Sequence, residues 1–203
     1  ASARFINKKN LPNLVLAYAD ARSKLPDLPE LVILGDGPER AAVENAIHFR
    51  SVGSVVHLPG FRGYEQLPAF YGLSEAFVHV STSEQWGLVI NEAMASGVPV
   101  IASRTCGAAR TVIQDGISGL LTGIDVSSIS EALLRLFGMT QEKRSCIGLS
   151  GAIAIKDWGP DRFGLGMRAA VDSAQKVHRR GSIPIWVQPI LNRLQRKVID
   201  TVS

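Results

Sequence analysis

Long apolar runs and cysteine pairs are both missing from this chain of 203 residues. No apolar run approaches the roughly 20 residues that a membrane-spanning helix needs, and the N-terminus shows no signal-peptide pattern. The cysteines, Cys106 and Cys146, stand far apart and lack the CxxC spacing of zinc and redox motifs. Isolated cysteines of this kind are typical of reduced thiols, so we expect a cytoplasmic protein.

Metal-binding patterns are missing as well. No acidic cluster resembling DxD follows a predicted strand, and no group of histidines and cysteines has the spacing of a metal site. We therefore expect this chain to function without a metal ion and without a bound cofactor.

A surplus of positive charge is missing except near the C-terminus. The net charge is +4 at pH 7, yet the segment from Lys176 to Ser203 alone carries six basic residues and one acidic residue. Residues 1–175 therefore have a net charge of −1. Because nucleic-acid-binding proteins need a basic surface, we expect no nucleic-acid partner for this part of the chain.

Short apolar runs that end in turn residues predict buried strands, and helical patterns alternate with them. The predicted strands are 31–34, 55–58, 76–80 and 98–102, and the predicted helices are 13–24, 38–50, 64–73, 87–96, 127–138, 140–155 and 160–178. Alternating strands and helices predict an α/β domain with a parallel sheet, which we assign to residues 1–178. Only three residues precede Arg4, so the first strand is predicted to be truncated.

Parallel α/β sheets bind ligands beyond the carboxyl ends of their strands, so the loop at 81–87 is a candidate ligand site. There a buried strand ends, a polar loop follows, and Gly87 opens a helix. The backbone N–H groups of Gly87, Leu88 and Val89 would point out of that helix start. Together with the helix dipole they predict an anion site, which is worth up to roughly 2 kcal/mol. Since Gly87 has no Cβ, a phosphate could approach the backbone closely.

Two carboxylates flank this predicted anion site. Glu84 precedes the helix, and Glu92 lies within it, about 7 Å along the helix axis from Gly87. Carboxylates accept hydrogen bonds from the vicinal hydroxyls of sugars. A phosphate with hydroxyls on both sides is typical of a nucleotide sugar, in which a diphosphate joins a hexose to a ribose.

The spacing of Glu84 and Glu92 resembles the EX7E motif of the group 1 family of retaining GT-B glycosyltransferases. Four further segments resemble that family in the correct order, and the likeness covers about residues 3–175. They are Arg4 followed by Lys9-Asn10, Gly35-Asp36-Gly37-Pro38, the run from Ala93 to Ser103, and the run from Asp115 to Leu121. The resemblance implies a Rossmann-like parallel sheet flanked by helices, which is the C-terminal half of a GT-B fold.

The resemblance also implies a role for each site residue. Glu84 would hold the hexose hydroxyls of the donor, and Glu92 would hold the ribose hydroxyls. Arg4 and Lys9 would bind the diphosphate, and the backbone at Phe61-Arg62 would face the base. The implied reaction moves a hexosyl group from a nucleoside diphosphate sugar, most commonly UDP-linked, with retention of configuration. Negative charge that grows on the leaving diphosphate would be stabilised by the two cations.

Enzymes of this family contain two Rossmann-like halves, and only the donor-binding half has a counterpart here. We therefore expect an N-terminal acceptor-binding domain as a missing partner, and an isolated chain that binds donor without transferring the sugar. Two other classes remain open. The chain could belong to a GT-B-type sugar-nucleotide epimerase, or it could be a nucleotide-sugar-binding module without catalytic activity.

Each proposed ligand-binding residue also has a simpler interpretation. Glu84 could be a solvated loop residue, and Glu92 could pair within its own helix. Arg4 and Lys9 could be ordinary surface charges, and Lys8 could replace Lys9.

Several neighbouring residues are expected to have structural roles. Asp36 would support a turn, and Cys106 would be a small buried thiol. His57 and His79 alternate with apolar residues, so they would be packed or sheet-end histidines. Trp86 could pack beside the sugar or could close the loop.

Residues 179–203 are predicted to be a linker and an amphipathic helical tail. From Val187 to Val202, apolar residues recur three or four positions apart, which places them on one helical face. That face could pack on a protein domain. Alternatively it could lie in a membrane interface, with Trp186 at the boundary and basic side chains toward anionic headgroups. The second interpretation predicts a peripheral protein at the cytoplasmic face of the membrane.

Overall fold

The strands of the protein pair in parallel, as their alternation with helices predicts. The computed structural model describes residues 1–178. The strands are β1 (Leu31–Leu34), β2 (Val56–Gly60), β3 (Phe77–His79), β4 (Val100–Ser103) and β5 (Leu120–Thr122). β1 pairs with β2, and β4 lies between β3 and β5. Helices flank these strands, so the predicted α/β class is confirmed.

The strands form two hydrogen-bonded groups, where the sequence predicts one sheet. Residues 1–5 run beside the end of β1. There Ser2 forms an isolated parallel bridge with Leu34, and the N–H of Ala3 donates to the Leu34 carbonyl at 3.0 Å. The N–H of Leu34 also donates to the Ala1 carbonyl at 2.9 Å, so the first predicted strand is present as a short extended segment beside β1.

Eight α-helices and two 3-10 helices lie within the described residues. The α-helices are α1 (Leu11–Lys24), α2 (Arg40–Phe49), α3 (Leu67–Gly72), α4 (Leu88–Ala95), α5 (Gly107–Val112), α6 (Val126–Phe137), α7 (Gln141–Lys156) and α8 (Pro160–His178). The 3-10 helices are Asn7–Lys9 and Tyr64–Gln66. α1 packs against α2 and α6, and α4 packs against α7.

Helix α6 illustrates how the sequence builds the core. Its apolar residues Ile129, Leu133 and Leu136 recur at helical spacing and are all buried. The helix begins where the Asp125 carboxylate accepts a hydrogen bond from the Ser128 N–H at 2.8 Å, which is a typical N-cap. The buried face of α6 therefore packs against α1 in the main apolar core.

The structure differs from the sequence prediction at short elements. β5 and α5 are not predicted, because three and six residues are too few to show a clear periodicity. The helix predicted at 64–73 is divided into a 3-10 turn and α3. Helix α4 begins at Leu88, one residue later than predicted, because Gly87 adopts a left-handed conformation with φ +97°.

The chain divides into two compact units. The first comprises Ala1–Asp157 and contains every strand described above. The second begins at Trp158 and includes α8, where the Arg162 guanidinium lies 4.2 Å from the centre of the Trp158 ring. The predicted linker and helical tail at 179–203 lie outside the described residues. Within residues 1–178, none of the helices has the length and apolar character that crossing a membrane requires.

Candidate functional site

The segment before α1 and the loop after β3 lie side by side at the carboxyl edge of the strands. The N–H of Thr82 donates to the Lys8 carbonyl at 2.8 Å. Asn10, which has a left-handed φ of 60°, donates from its side-chain amide to the carbonyls of Val80 at 3.2 Å and Ile124 at 2.8 Å. These contacts hold the predicted phosphate-binding segment against the loop that carries Glu84.

Lys9 and Glu84 form an ion pair between these two segments. The Lys9 ammonium donates a hydrogen bond to Glu84 Oε2, and the Lys8 ammonium lies 3.8 Å from Glu84 Oε1. Burial acts to raise the pKa of Glu84, but the hydrogen bond and charge of Lys9 outweigh it and lower that pKa below its usual value. Because both side chains are only 15% exposed, Glu84 is not a freely solvated loop residue.

His79, the last residue of β3, lies directly against this ion pair. Its side chain is 4% exposed, and Nε2 lies 3.1 Å from Ser81 Oγ and 3.8 Å from Glu84 Oε2. Burial lowers the pKa of His79 to about 4, and the charge of Lys9 acts in the same direction. The imidazole is therefore neutral at pH 7.

The loop that carries Glu84 rests on the start of α5. The N–H of Gly107 donates to the Glu84 carbonyl at 3.1 Å, and the N–H of Ala108 donates to the Trp86 carbonyl at 2.9 Å. A Cβ added at Gly107 would lie 1.9 Å from the Gln85 carbonyl oxygen. Only glycine permits this close approach, so Gly107 determines how the loop sits on α5.

The start of α4 faces the same region. Gly87 is the N-cap residue, and its carbonyl accepts the N–H of Ile90 at 2.9 Å. The N–H groups of Leu88 and Val89 belong to the first turn, so they have no acceptor within the helix. A Cβ on Gly87 would lie 3.3 Å from Glu84 Cγ, which shows how closely the helix start approaches that side chain. Leu88 itself is exposed.

A cleft of about 420 Å³ opens beside the first turn of α4. Arg4, Phe61, Arg62 and Val89 are among the residues that line it. Phe61 is exposed, and its carbonyl accepts a hydrogen bond from the Arg62 guanidinium at 3.3 Å. The structure thus brings Arg4 together with the segment predicted to face the base, whereas Lys9 lies with Glu84.

Glu92 lies three residues after Val89 and therefore on the same face of α4. Its Oε2 accepts a hydrogen bond of 2.9 Å from the hydroxyl of Tyr71, a buried residue of α3. Burial and the neighbouring carboxylate both raise the pKa of Tyr71, so the hydroxyl stays protonated and remains a donor. The partner of Glu92 therefore comes from another helix, not from α4 itself.

The residues expected to be structural make local contacts. Asp36 Oδ1 accepts the N–H of Gly37 at 2.7 Å, as in a turn. His57 is exposed and lies 2.7 Å from Glu30 Oε2, and Cys106 is a buried thiol. Over residues 1–178, no group of three or more histidine, cysteine, aspartate or glutamate side chains is arranged to hold a metal ion.

Three residues of this site are not identified by the sequence. His79 is expected only to pack, and Tyr71 belongs to a helix without any recognised motif. Gly107 has a weak signal, because Cys106-Gly107 follows a predicted strand close to the predicted donor site. Tyr71 and Gly107 contact Glu92 and Gln85, which are distant in the chain, and His79 lies against an ion pair whose other member, Lys9, is distant as well. Spacing alone does not reveal such arrangements.

The family of glycosyl transferases group 1 matches residues 1–148. The chain belongs to this family. The matched region contains Arg4, Lys9, Glu84 and Glu92, so the whole site described above lies within the group 1 domain.

Two curated relatives of this group 1 domain are sugar transferases with different donors. The chain is 28% identical over 170 residues to the GDP-mannose-dependent alpha-(1-6)-phosphatidylinositol monomannoside mannosyltransferase of Mycolicibacterium smegmatis, covering 79% of the chain and 42% of the relative. It is 29% identical over 136 residues to the UDP-N-acetylglucosamine–peptide N-acetylglucosaminyltransferase GtfA subunit of Streptococcus gordonii, covering 67% of the chain and 26% of the relative. The chain therefore spans less than half the length of either relative.

The group 1 domain also shares its fold with the pneumococcal O-GlcNAc transferase GtfA, whose structure was solved in complex with UDP and GlcNAc. The TM-score is 0.72, and the sequences are 22% identical. The match covers 85% of this chain and 34% of the other. At this identity the likeness shows a GT-B-like fold, and the ligands belong to the other protein.

Proposed function

We propose that this chain is the donor-binding half of a retaining glycosyltransferase that moves a hexosyl group from a nucleoside diphosphate sugar, preferably UDP-linked, to an acceptor. Family membership supports the class of reaction. The observation that carries the finer proposal is the division of the site into two parts, one on each side of the first turn of α4. An acceptor-binding domain would accompany this half in the full-length enzyme.

The part proposed to hold the hexose contains Lys9, Glu84 and Gly87. Glu84 is an ionised carboxylate in a partly buried position, so it can accept hydrogen bonds from sugar hydroxyls. Its present partner, the Lys9 ammonium, is a donor that a phosphate can also engage. The small Gly87 turn leaves the helix start open to the diphosphate.

The part proposed to hold the nucleoside is the cleft beside Val89. Its volume of about 420 Å³ lies within the range typical of small-molecule sites, about 300–1,000 Å³. Phe61 and Arg62 would face the base, and Arg4 would reach the phosphates. Glu92, which Tyr71 orients, would accept the ribose hydroxyls.

The diphosphate would lie between these parts, next to the first-turn N–H groups of α4. As the glycosidic bond breaks, negative charge develops on the leaving diphosphate, and Arg4, Lys9 and these N–H groups would stabilise it. Each charge-assisted hydrogen bond is worth roughly 1.5–3 kcal/mol. We propose that the acceptor attacks on the face that the diphosphate leaves, through an oxocarbenium-like state, which retains the configuration.

Calorimetry of the chain with nucleoside diphosphates in the presence of EDTA tests this proposal. We expect UDP to bind without metal, and more tightly than GDP or ADP, and we expect the isolated chain to show no sugar transfer. If no nucleoside diphosphate and no nucleotide sugar produces heat, the proposal is contradicted. Product analysis of the full-length protein distinguishes the transferase from its alternatives. An epimerase would release a nucleotide sugar of altered configuration, and a binding module would form no product.

We also propose a peripheral membrane contact through residues 183–203. The amphipathic pattern of this segment supports the proposal, as does the lipid acceptor in the name of the mycobacterial relative. Co-sedimentation of the full-length protein with anionic liposomes, with and without residues 183–203, tests it. We expect truncation to remove binding. Unchanged sedimentation would contradict the membrane contact and favour packing of the segment on a protein domain.

A further inference from the structure

His79 has surroundings that the proposed sugar-transfer reaction does not explain. Its imidazole is buried at the end of β3, with Nε2 placed between Ser81 Oγ at 3.1 Å and Glu84 Oε2 at 3.8 Å. The turn at Gly87 lies above it, since a Cβ on that glycine would be 3.8 Å from the same nitrogen. The ring of Phe77 stacks on the imidazole with the centroids 6.5 Å apart. His79 thus forms the floor of the Glu84 region.

Burial is the main reason that the imidazole of His79 is neutral in the free protein, and the charged groups around it act on top of burial. Lys9 approaches from the 3-10 helix, and its charge disfavours the imidazolium. Glu84 approaches from the loop and favours the imidazolium, but its charge is already balanced by Lys9. Burial and, to a smaller extent, the charge of Lys9 therefore lower the pKa of His79 to about 4.

Donor binding would change the electrostatic part of this balance in favour of the imidazolium, an argument that rests on the proposed function. A diphosphate beside α4 competes with Glu84 for the Lys9 ammonium, because phosphate oxygens are strong acceptors for a cation. Glu84 then loses its hydrogen-bonded counter-ion while two further negative charges arrive. Two basic groups then remain beside the carboxylate. The Lys8 ammonium lies 3.8 Å from Oε1, but its side chain is 48% exposed, so solvent screens its charge. The buried imidazole, whose Nε2 is 3.8 Å from Oε2, is the nearest group that can respond without this screening.

We propose that His79 takes up one proton from solvent when the donor binds, and that its imidazolium replaces Lys9 as the counter-ion of Glu84. The proton adds to the lone pair of the unprotonated ring nitrogen, and no other bond is made or broken. His79 acts through Glu84, so it is a positioning residue and not a group that touches the donor. Its imidazolium keeps the carboxylate paired and aimed toward the hexose.

This proton uptake gives donor affinity a defined pH dependence. The pKa of His79 would be higher in the complex than in the free protein, so the affinity for the donor increases as pH falls. Above the pKa of the complex, the affinity does not depend on pH. Each unit by which the donor raises that pKa tightens binding by up to roughly tenfold at a pH well below the pKa of the complex, relative to pH 8. At a pH equal to the pKa of the complex, about half a proton is taken up per donor bound.

Calorimetry of UDP-glucose and GDP-mannose at one pH in buffers with different ionisation heats measures this proton directly. The phosphates of a nucleotide sugar do not titrate near neutral pH, so any proton that is taken up on binding is bound by the protein. We expect binding heat that varies with the buffer in the wild-type chain. The variation should disappear in His79→Gln and persist in His57→Gln, where an exposed histidine outside the site is changed.

The outcomes separate this inference from the proposed function. If neither nucleotide sugar produces heat, the proposed function fails and the inference fails with it. If a donor binds with the same heat in every buffer, only the proton uptake by His79 is overturned. If His79→Gln does not fold, NMR titration of the histidine rings in the wild-type chain tests the proton uptake instead. The pKa of His79 must rise on donor binding, and an unchanged His79 pKa would overturn the inference.

Discussion

Replacement of Gly107 by alanine is expected to impair donor binding through the loop that carries Glu84. The new Cβ would lie 1.9 Å from the Gln85 carbonyl oxygen. Since real Cβ atoms do not come within 3.0 Å of a neighbour, the loop has to retreat by about 1.1 Å. Gln85 follows Glu84 directly, so the retreat also moves the carboxylate that is predicted to hold the hexose.

The loss of stability caused by this displacement follows from the two hydrogen bonds between the loop and α5. They join Gly107 N to the Glu84 carbonyl at 3.1 Å and Ala108 N to the Trp86 carbonyl at 2.9 Å. Each contributes about 0.5–1.5 kcal/mol, so their loss lowers the free energy of unfolding by about 1–3 kcal/mol. For a unit of this size, that is a fall in Tm of roughly 2–12 °C. If the displaced Glu84 loses one charge-assisted hydrogen bond to the hexose, roughly 1.5–3 kcal/mol is lost and UDP-glucose should bind at least about tenfold more weakly.

Thermal unfolding and calorimetry with UDP-glucose measure both effects. Gly72→Ala is the matched control, because a Cβ at this position near the end of α3 meets no atom within 4 Å. The control should keep wild-type affinity and equal or slightly greater stability, since alanine is favoured over glycine in a helix. A Gly107→Ala chain with wild-type Tm and wild-type donor affinity would refute the reasoning.

Other contacts of the site lead to further expectations. Lys9→Ala and Arg4→Ala should weaken UDP binding much more than uridine binding, because both side chains are assigned to phosphates; equal losses in calorimetry would argue against that assignment. Tyr71→Phe removes the hydrogen bond to Glu92 and should weaken UDP by roughly two- to tenfold, whereas unchanged affinity would mean that Glu92 needs no support. As pH falls, the unfolded chain binds a proton at His79 at a higher pH than the folded chain does, because burial lowers the pKa of His79 in the fold. The free energy of unfolding should therefore fall by up to roughly 3 kcal/mol between pH 6.5 and pH 4, and urea titrations should show a flatter pH profile for His79→Gln.

The part of the site that lies in one short stretch of chain could be predicted from the sequence. The loop at 81–87, the glycine at the start of α4 and the spacing of Glu84 and Glu92 are local features. Strand ends, turn residues and helix starts are governed by nearby residues, so their order along the chain predicts their order in space. The parallel class of the sheets followed from the same alternation of strands and helices.

Contacts between distant segments could not be predicted in this way. The Lys9–Glu84 pair joins residues 75 positions apart, and the hydrogen bond from Tyr71 to Glu92 joins two different helices. A pattern of residue types indicates which segments form, but the folded topology decides which segments meet. For the same reason, the sequence around Gly107 does not predict that this residue closely approaches the loop at Gln85.

The division of the donor between Glu84 and Glu92 is tested most directly by titrating UDP and UDP-glucose into the Glu84→Ala and Glu92→Ala chains. Glu92→Ala should weaken both ligands, because both contain the ribose. Glu84→Ala should weaken UDP-glucose relative to UDP, and UDP itself should bind as in the wild type or more tightly, since Lys9 is released for the phosphates. The reverse pattern, with Glu84→Ala weakening UDP and Glu92→Ala sparing it, would contradict the proposed orientation of the donor.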